Sequence, residues 1–173
     1  MAEIIPHYSV NPALTEQLLD TVFGTDRRAR TAYAIRGDAP QLGTLSFVAL
    51  DEDEHLVGSI EAYPIALTDP TGRAHPMVMI GPVAVLDHRR GEGFGKALMA
   101  ACLAAIEDGF EQGAAPLPQV LIGDLDYYGR WDFDAQHTGG WRCPGPCEPE
   151  RLLVRTGNPA VLPQDGMLGP WQG

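Results

Sequence analysis

The sequence predicts a mixed α/β fold: a mostly antiparallel central sheet, with one splayed parallel strand pair, flanked by helices. Three observations carry this. A near-continuous apolar run, Met77–Val85, is interrupted by Gly81-Pro82, as in a strand covered on both faces that bulges or splays midway. A glycine-rich turn after it opens a helix whose apolar stripe is Phe94, Ala97, Leu98, Ala101, Cys102, Ala105 and Ile106. Ahead of both, two short apolar runs flank the acidic turn Asp51–Glu54 in the manner of a β-hairpin.

Taken in order, Ile4–Val10 reads as a first strand stopped by Asn11-Pro12. Leu14, Leu18, Leu19, Val22 and Phe23 then recur at helical spacing up to a stop at Gly24. Asp26 is positioned to cap a second helix to about Ile35, with Arg27, Arg28 and Arg30 on its wetter face. Leu45–Leu50 and Leu56 to about Ile65 are the hairpin strands, and Asp69-Pro70-Thr71-Gly72 is a turn. The glycine-loop helix ends near Gly109–Gly113, ahead of Pro116 and Pro118. Val120–Ile122 is a strand, Asp126–Trp131 a short helix and Arg151–Arg155 a strand. Residues 1–157 are expected to form one domain, and 158–173 a Pro/Gly-rich tail with no clear periodicity.

Composition excludes several classes. A chain of 173 residues buries roughly two thirds of its unfolded surface, enough to fold without disulfides or metal. There is no apolar run of the roughly 20 residues a membrane helix needs, so no membrane partner is expected. The first residues, Met1 to Pro6, lack the basic and apolar regions of a signal peptide, which makes the cytoplasm the expected location. Twelve basic against 23 acidic residues give a net charge of −11. Phosphate-backbone binding needs a clustered basic surface, so nucleic acid is not an expected partner, whereas a negative field draws in cationic amines. Cys143 and Cys147 bracket a Cys-Pro-Gly-Pro-Cys turn with His137 upstream, but a second ligand pair at zinc spacing is missing, and no metal is expected.

The chemistry concentrates in Val83-Ala84-Val85-Leu86-Asp87-His88-Arg89-Arg90-Gly91-Glu92-Gly93-Phe94-Gly95-Lys96. The first N–H groups of a helix have no intrahelical partner and carry the positive end of its dipole, so an anion binds there if nothing blocks it. Glycines 91, 93 and 95 remove the Cβ atoms that would block it. The spacing is not the Gly-x-Gly-x-x-Gly of dinucleotide folds, and no Gly-Lys-Ser/Thr of a P-loop follows.

It matches Arg/Gln-x-x-Gly-x-Gly/Ala, filled by Arg90, Gly93 and Gly95, and so resembles the coenzyme A motif of the GNAT (Gcn5-related) N-acetyltransferase superfamily. A second block, Leu121-Ile122-Gly123-Asp124-Leu125-Asp126-Tyr127-Tyr128-Gly129-Arg130-Trp131-Asp132-Phe133, resembles that family's later strand-helix segment, and more narrowly a bacterial subgroup of predicted acetyltransferases with a Gly-Asp-x-x-Tyr-Tyr-x-Arg block. The two blocks cover about Ile80 to Phe133, under half of the chain. The family's glycine before the final phenylalanine is Asp132 here.

The resemblance implies a set of roles. Val83, Ala84 and Val85 would lie along the pantetheine arm, with Val85 N–H a candidate oxyanion donor. Arg90, Gly91, Glu92, Gly93, Phe94, Gly95 and Lys96 would surround the pyrophosphate of acetyl-CoA, the expected acetyl donor. Tyr128 matches the tyrosine that protonates the departing thiolate, with Tyr127 its packed neighbour. The motif fixes no base; Glu61 is the candidate, directly or through water, with His75 and His88 behind it. The implied activity is transfer of acetyl to a primary amine of a small molecule or protein, by a monomer or homodimer. The alternatives are a non-catalytic CoA or acyl-CoA sensor, and a metal- or redox-linked interaction protein using His137, Cys143 and Cys147.

Overall fold

The computed structural model describes residues 3–109 and 116–172. Its elements are β1 (Glu3–Pro6), α1 (Pro12–Phe23), α2 (Thr31–Arg36), β2 (Phe47–Leu50), β3 (Leu56–Thr68), β4 (Ala74–Val85), α3 (Phe94–Asp108), β5 (Gln119–Ile122), α4 (Leu125–Tyr128), β6 (Gly140–Arg142), β7 (Leu152–Arg155) and β8 (Asp165–Pro170), with short 3-10 turns between them. The eight strands form one sheet in the order β1-β2-β3-β4-β5-β7, with β8 pairing β3 and β6 off that path. β1–β2, β2–β3, β3–β8 and β5–β7 are antiparallel. β4 and β5 run parallel, paired through Val78–Gln119 and Met79–Val120. β6 and β8 are a second parallel pair. The predicted fold class is the observed one.

Two compact units divide the chain. The first comprises residues 1–28, 41–62 and 82–114. Its α1 starts as the sequence dictates: Asn11 Oδ1 accepts from the Ala13 N–H at 3.0 Å, Pro12 occupies the first turn, and Gly24 (φ 94°) ends the helix. Leu18 and Leu19 bury against Ala84, with Val22, Phe23, Leu56 and Leu86 around them. Gly58 is required by packing: a Cβ there would lie 2.9 Å from the Ala84 carbonyl oxygen and 3.1 Å from Leu98 Cδ1. The first strand is shorter than expected, because His7–Ser9 turns into a 3-10 helix. Arg27 departs further from expectation. Its side chain is 1% exposed, held by Glu16 and by Asp20 Oδ1 at 2.9 Å, because those two carboxylates lie one turn apart on α1 and reach the same guanidinium.

The second unit comprises residues 29–40, 63–81 and 115–173. Ile35, Ile65, Leu67, Met77, Met79, Val120, Trp141, Leu152, Val154 and Leu168 form its core. The second helix starts at Thr31 and not after Asp26, since residues 27–29 form a separate 3-10 turn. Residues 158–173, read from sequence as an aperiodic tail, include β8. Asp165-Gly-Met-Leu-Gly-Pro has weak strand propensity, and pairing with β3 and β6 makes it a strand. Gly166 permits the approach, as a Cβ there would come 2.8 Å from Leu67 Cγ. The expected helix end at Gly109–Gly113 falls partly outside the described residues; α3 itself ends at Asp108. No helix among the described residues is long and apolar enough to cross a membrane.

Replacing Gly58 by Ala is expected to destabilise the fold by about 1–3 kcal/mol through overpacking against Ala84 and Leu98. The midpoint of urea unfolding measures it, and an unchanged midpoint contradicts the packing account.

Candidate active site

β4 delivers the chain to the glycine loop. Gly81 adopts φ 137°, a conformation β4 can take only with a glycine, and Val83 and Val85 beyond it are half-buried. Ala84 between them turns its side chain into the Leu18–Leu19 cluster. After a 3-10 turn at Asp87–Arg89, Gly91 (φ 84°) and Gly93 (φ 92°) both take left-handed backbone. A Cβ at either would meet nothing within 4 Å, so conformation requires these glycines and the space above them is open. Gly93 is the N-cap of α3, and its carbonyl accepts the first helical bond, from Ala97 N–H at 3.0 Å. Fifteen residues of helix stand behind that terminus, with no acidic residue in the first turn.

Phe94 is buried, Gly95 half-buried and Lys96 exposed. Arg90, the motif arginine, is exposed and pairs with Asp87 Oδ1 at 3.1 Å. The neighbouring Arg89 is the anchored one. Its Nη1 donates to Asp51 Oδ2 and its Nε to Glu92 Oε2, each at 2.8 Å, and its guanidinium lies 5.3 Å from the Phe94 ring centroid. This ties the loop to the β2–β3 turn and draws the Glu92 carboxylate back onto a cation. Arg89 holds Glu92 below the usual carboxylate range, and backbone N–H of His55 does the same for Asp51, with Arg89 adding to it. The motif spacing singles out Arg90 and gives no sign that Arg89 is the anchored residue. Asp51, Asp53 and His55 are also the one grouping of three or more metal-binding side chains among the described residues.

Glu61 sits in β3 within a strand buried on both faces, itself 3% exposed. Its Oε2 lies 3.2 Å from His7 Nε2. Sequence reasoning missed His7: the ring follows β1, 54 positions away, and only the strand register joins the two. Ser59, two residues earlier and therefore on the same face of β3, is fully buried with its hydroxyl unpartnered among the described residues. The two reserve candidates lie elsewhere. His75 is bonded at 2.8 Å to Asp69 in the β3–β4 turn, and His88 is an exposed turn residue.

The Tyr-Tyr block belongs to the second unit. Tyr128 packs over Gly123, where a Cβ would run into its ring, 2.8 Å from Cδ2. Its ring meets Tyr127 edge-on at 4.9 Å and Phe133 at 6.3 Å. Burial, reinforced by Tyr127 and Asp124, pushes the Tyr128 phenol up to about 12. Asp132 resolves the one departure from the family pattern. It has φ 68° and ψ 21°, the left-handed backbone that favours glycine and that Asp tolerates better than most residues. The segment therefore keeps its turn. Cys143 and Cys147 are free thiols packed against the core of the second unit; Cys147 Sγ donates to the Glu148 carbonyl at 3.7 Å, and burial raises Cys143 to about 12.

The sequence profile of the acetyltransferase (GNAT) family matches residues 13–117, more than half of the chain. The chain belongs to the GNAT acetyltransferase family. Among solved structures it is similar to the GNAT N-acetyltransferase YhbS of Escherichia coli in complex with CoA, at 22% identity and TM-score 0.73, covering 99% of this chain and 90% of that one. It is also similar to a GNAT acetyltransferase of Brucella melitensis in complex with acetyl-CoA (26% identity, TM-score 0.56, 91% and 97% coverage). A third is Naa50 of Arabidopsis thaliana with the bisubstrate analogue CoA-Ac-MVNAL (20%, 0.53, 88% and 95%). No curated protein matches the sequence significantly.

With the Tyr128 phenol raised above its unfolded value of about 10, the unfolded chain ionises first as pH rises. Its contribution to stability is therefore complete below about pH 10 and is lost between about 10 and 12. Absorbance at 295 nm should show a tyrosine titrating near 12 in the wild type and missing from Tyr128→Phe; ionisation of that residue near 10 contradicts the assignment.

Proposed function

We propose that this GNAT protein transfers acetyl from acetyl-CoA to a primary amine. The observation that supports this best is the left-handed pair Gly91 and Gly93, open above and capping α3, where unpaired N–H groups and the helix dipole suit a diphosphate. In this reading Val83, Ala84 and Val85 lie along the pantetheine arm and the Val85 N–H polarises the thioester carbonyl. Residues Arg90 through Lys96 surround the pyrophosphate. The Glu92 carboxylate would oppose the phosphates if it turned inward, and its ion pair with Arg89 keeps it turned away.

Tyr128 acts as general acid. A phenol held near 12 stays protonated throughout physiological pH, so it is present as a donor when the thiolate leaves. Gly123 sets where that ring can sit. Glu61 provides the proton acceptor for the incoming ammonium, directly or through a group bonded to it. The net charge of −11 favours cationic acceptors, and the acceptor is a small-molecule or a protein amine. The location consistent with acetyl-CoA supply is the cytoplasm, and the reaction itself requires no metal.

Gly93→Asp, which places a carboxylate beside the helix terminus, should abolish CoA binding in calorimetry. Tyr128→Phe should keep CoA affinity within about twofold and lower kcat by about 10²–10⁴. Normal turnover by Tyr128→Phe contradicts the acid role. CoA binding with no thiol release across an amine panel favours the non-catalytic sensor instead. Gly123→Ala should lower kcat by displacing Tyr128, leaving CoA affinity unchanged; full activity would show that the ring position does not matter.

A further inference from the structure

We infer that His7 is the catalytic base and that buried Glu61 is its positioning residue, reversing the order that sequence suggests. The inference rests on the acetyl-transfer reading above and names the atom that takes the proton.

The sheet register brings the two together. Pro6 pairs with Phe47, and Phe47 with Ile60, so one step further along the same row stand His7, Ser46 and Glu61. The His7 backbone N–H donates to the Ser46 carbonyl at 2.9 Å, which fixes where the imidazole begins. From there its ring spans the row to Glu61, Nε2 to Oε2 at 3.2 Å. Strands two apart are separated by roughly 9.5 Å, a gap that two facing side chains can close. The Glu61 side chain is 4% exposed and that of His7 11%, so the carboxylate is the more enclosed member of the pair.

The chemistry follows from that asymmetry. An ionised carboxylate only accepts hydrogen bonds, so it selects the imidazole tautomer with the proton on Nε2 and leaves the lone pair on Nδ1. A buried acid that orients an imidazole and stabilises the imidazolium formed is the arrangement that makes histidine an effective base. A base must be reached by the proton it removes, and the enclosed Glu61 oxygen already bonded to His7 is the worse placed of the two. The acceptor ammonium gives one proton to Nδ1, and the freed amine lone pair attacks the thioester carbonyl. The C–S bond breaks as the C–N bond forms. The second proton, shed as the amide forms, balances the one the CoA thiolate takes up, and the His7 imidazolium returns its proton to solvent.

The acidic group paired with His7 is Glu61 from β3; Ser46, just ahead of β2, contributes its carbonyl, and Tyr8 beside His7 points to solvent. The other histidines differ. His55 is 77% exposed, His88 and His137 are exposed, and His75 is committed to the Asp69 turn.

The test combines turnover of acetyl-CoA with an amine accepted by the wild type, pH profiles, and nitrogen NMR of histidine-labelled protein. H7Q should bind CoA within twofold of wild type, lose about 10²–10⁴ in kcat/KM, and lose the acid limb of the wild-type pH profile. Added imidazole should restore turnover to H7A but not to E61Q. In wild-type protein at pH 7.5, His7 should carry its proton on Nε2, and E61Q should shift that population towards Nδ1. H7Q within threefold of wild type with the acid limb intact, or a wild-type His7 protonated on Nδ1, overturns the inference even if H7A folds poorly. A wild type that frees no thiol with any amine overturns acetyl transfer and this assignment together, whereas activity that survives H7Q overturns the His7 role alone.

Discussion

The first unit depends on two consecutive demands for left-handed backbone at Gly91 and Gly93, and on the ion pairs that hold the chain to them. A strand must end, reverse and present a helix terminus within a few residues, and left-handed glycines make that reversal without steric cost. A glycine-rich loop is entropically expensive to order. Arg89 offsets this by gripping Asp51 and Glu92 at once, with its guanidinium near the Phe94 ring. The motif arginine, Arg90, is left outside at the rim. Order in the loop and exposure of the motif cation thus come from adjacent residues of the same type.

The buried polar row of β3 is the second constraint. A carboxylate inside a strand covered on both faces is tolerated only when hydrogen-bonded, and His7 supplies such a bond from the end of β1. Ser59 on the same face remains without a partner among the described residues. An apolar residue at either position would be the simpler solution for stability. Polarity is nonetheless retained in this buried strand, with Glu61 hydrogen-bonded to His7.

In the second unit the same logic is applied to an aromatic. Tyr128 is hemmed by Gly123, Tyr127 and Phe133, and the resulting desolvation keeps the phenol neutral where an exposed one would begin to ionise. Asp132 shows how a departure from a family pattern can be conservative in backbone terms. The position demands a left-handed residue, and Asp meets that demand at modest cost, while changing the charge beside the aromatic cluster.

By itself, the sequence determined what local chemistry can determine. The glycine spacing, the α3 stripe, the Asn11-Pro12 start and Gly24 stop of α1, and the hairpin around Asp51–Glu54 all act over a few residues, and all are found in place. The family followed from two such local blocks, and the profile match bears it out. Tertiary structure decided the rest, because the deciding interactions join distant positions. Residues 165–170 have only weak strand propensity of their own and become β8 by pairing with β3 and β6. Arg27 is a surface cation by composition and a buried one by virtue of Glu16 and Asp20. Arg89 outranks Arg90 because Asp51 lies across from it. Glu61 could be singled out as a polar residue in a strand, but its partner His7 could not, since strand register, set only when the sheet assembles, is what brings residues 54 positions apart to hydrogen-bonding distance.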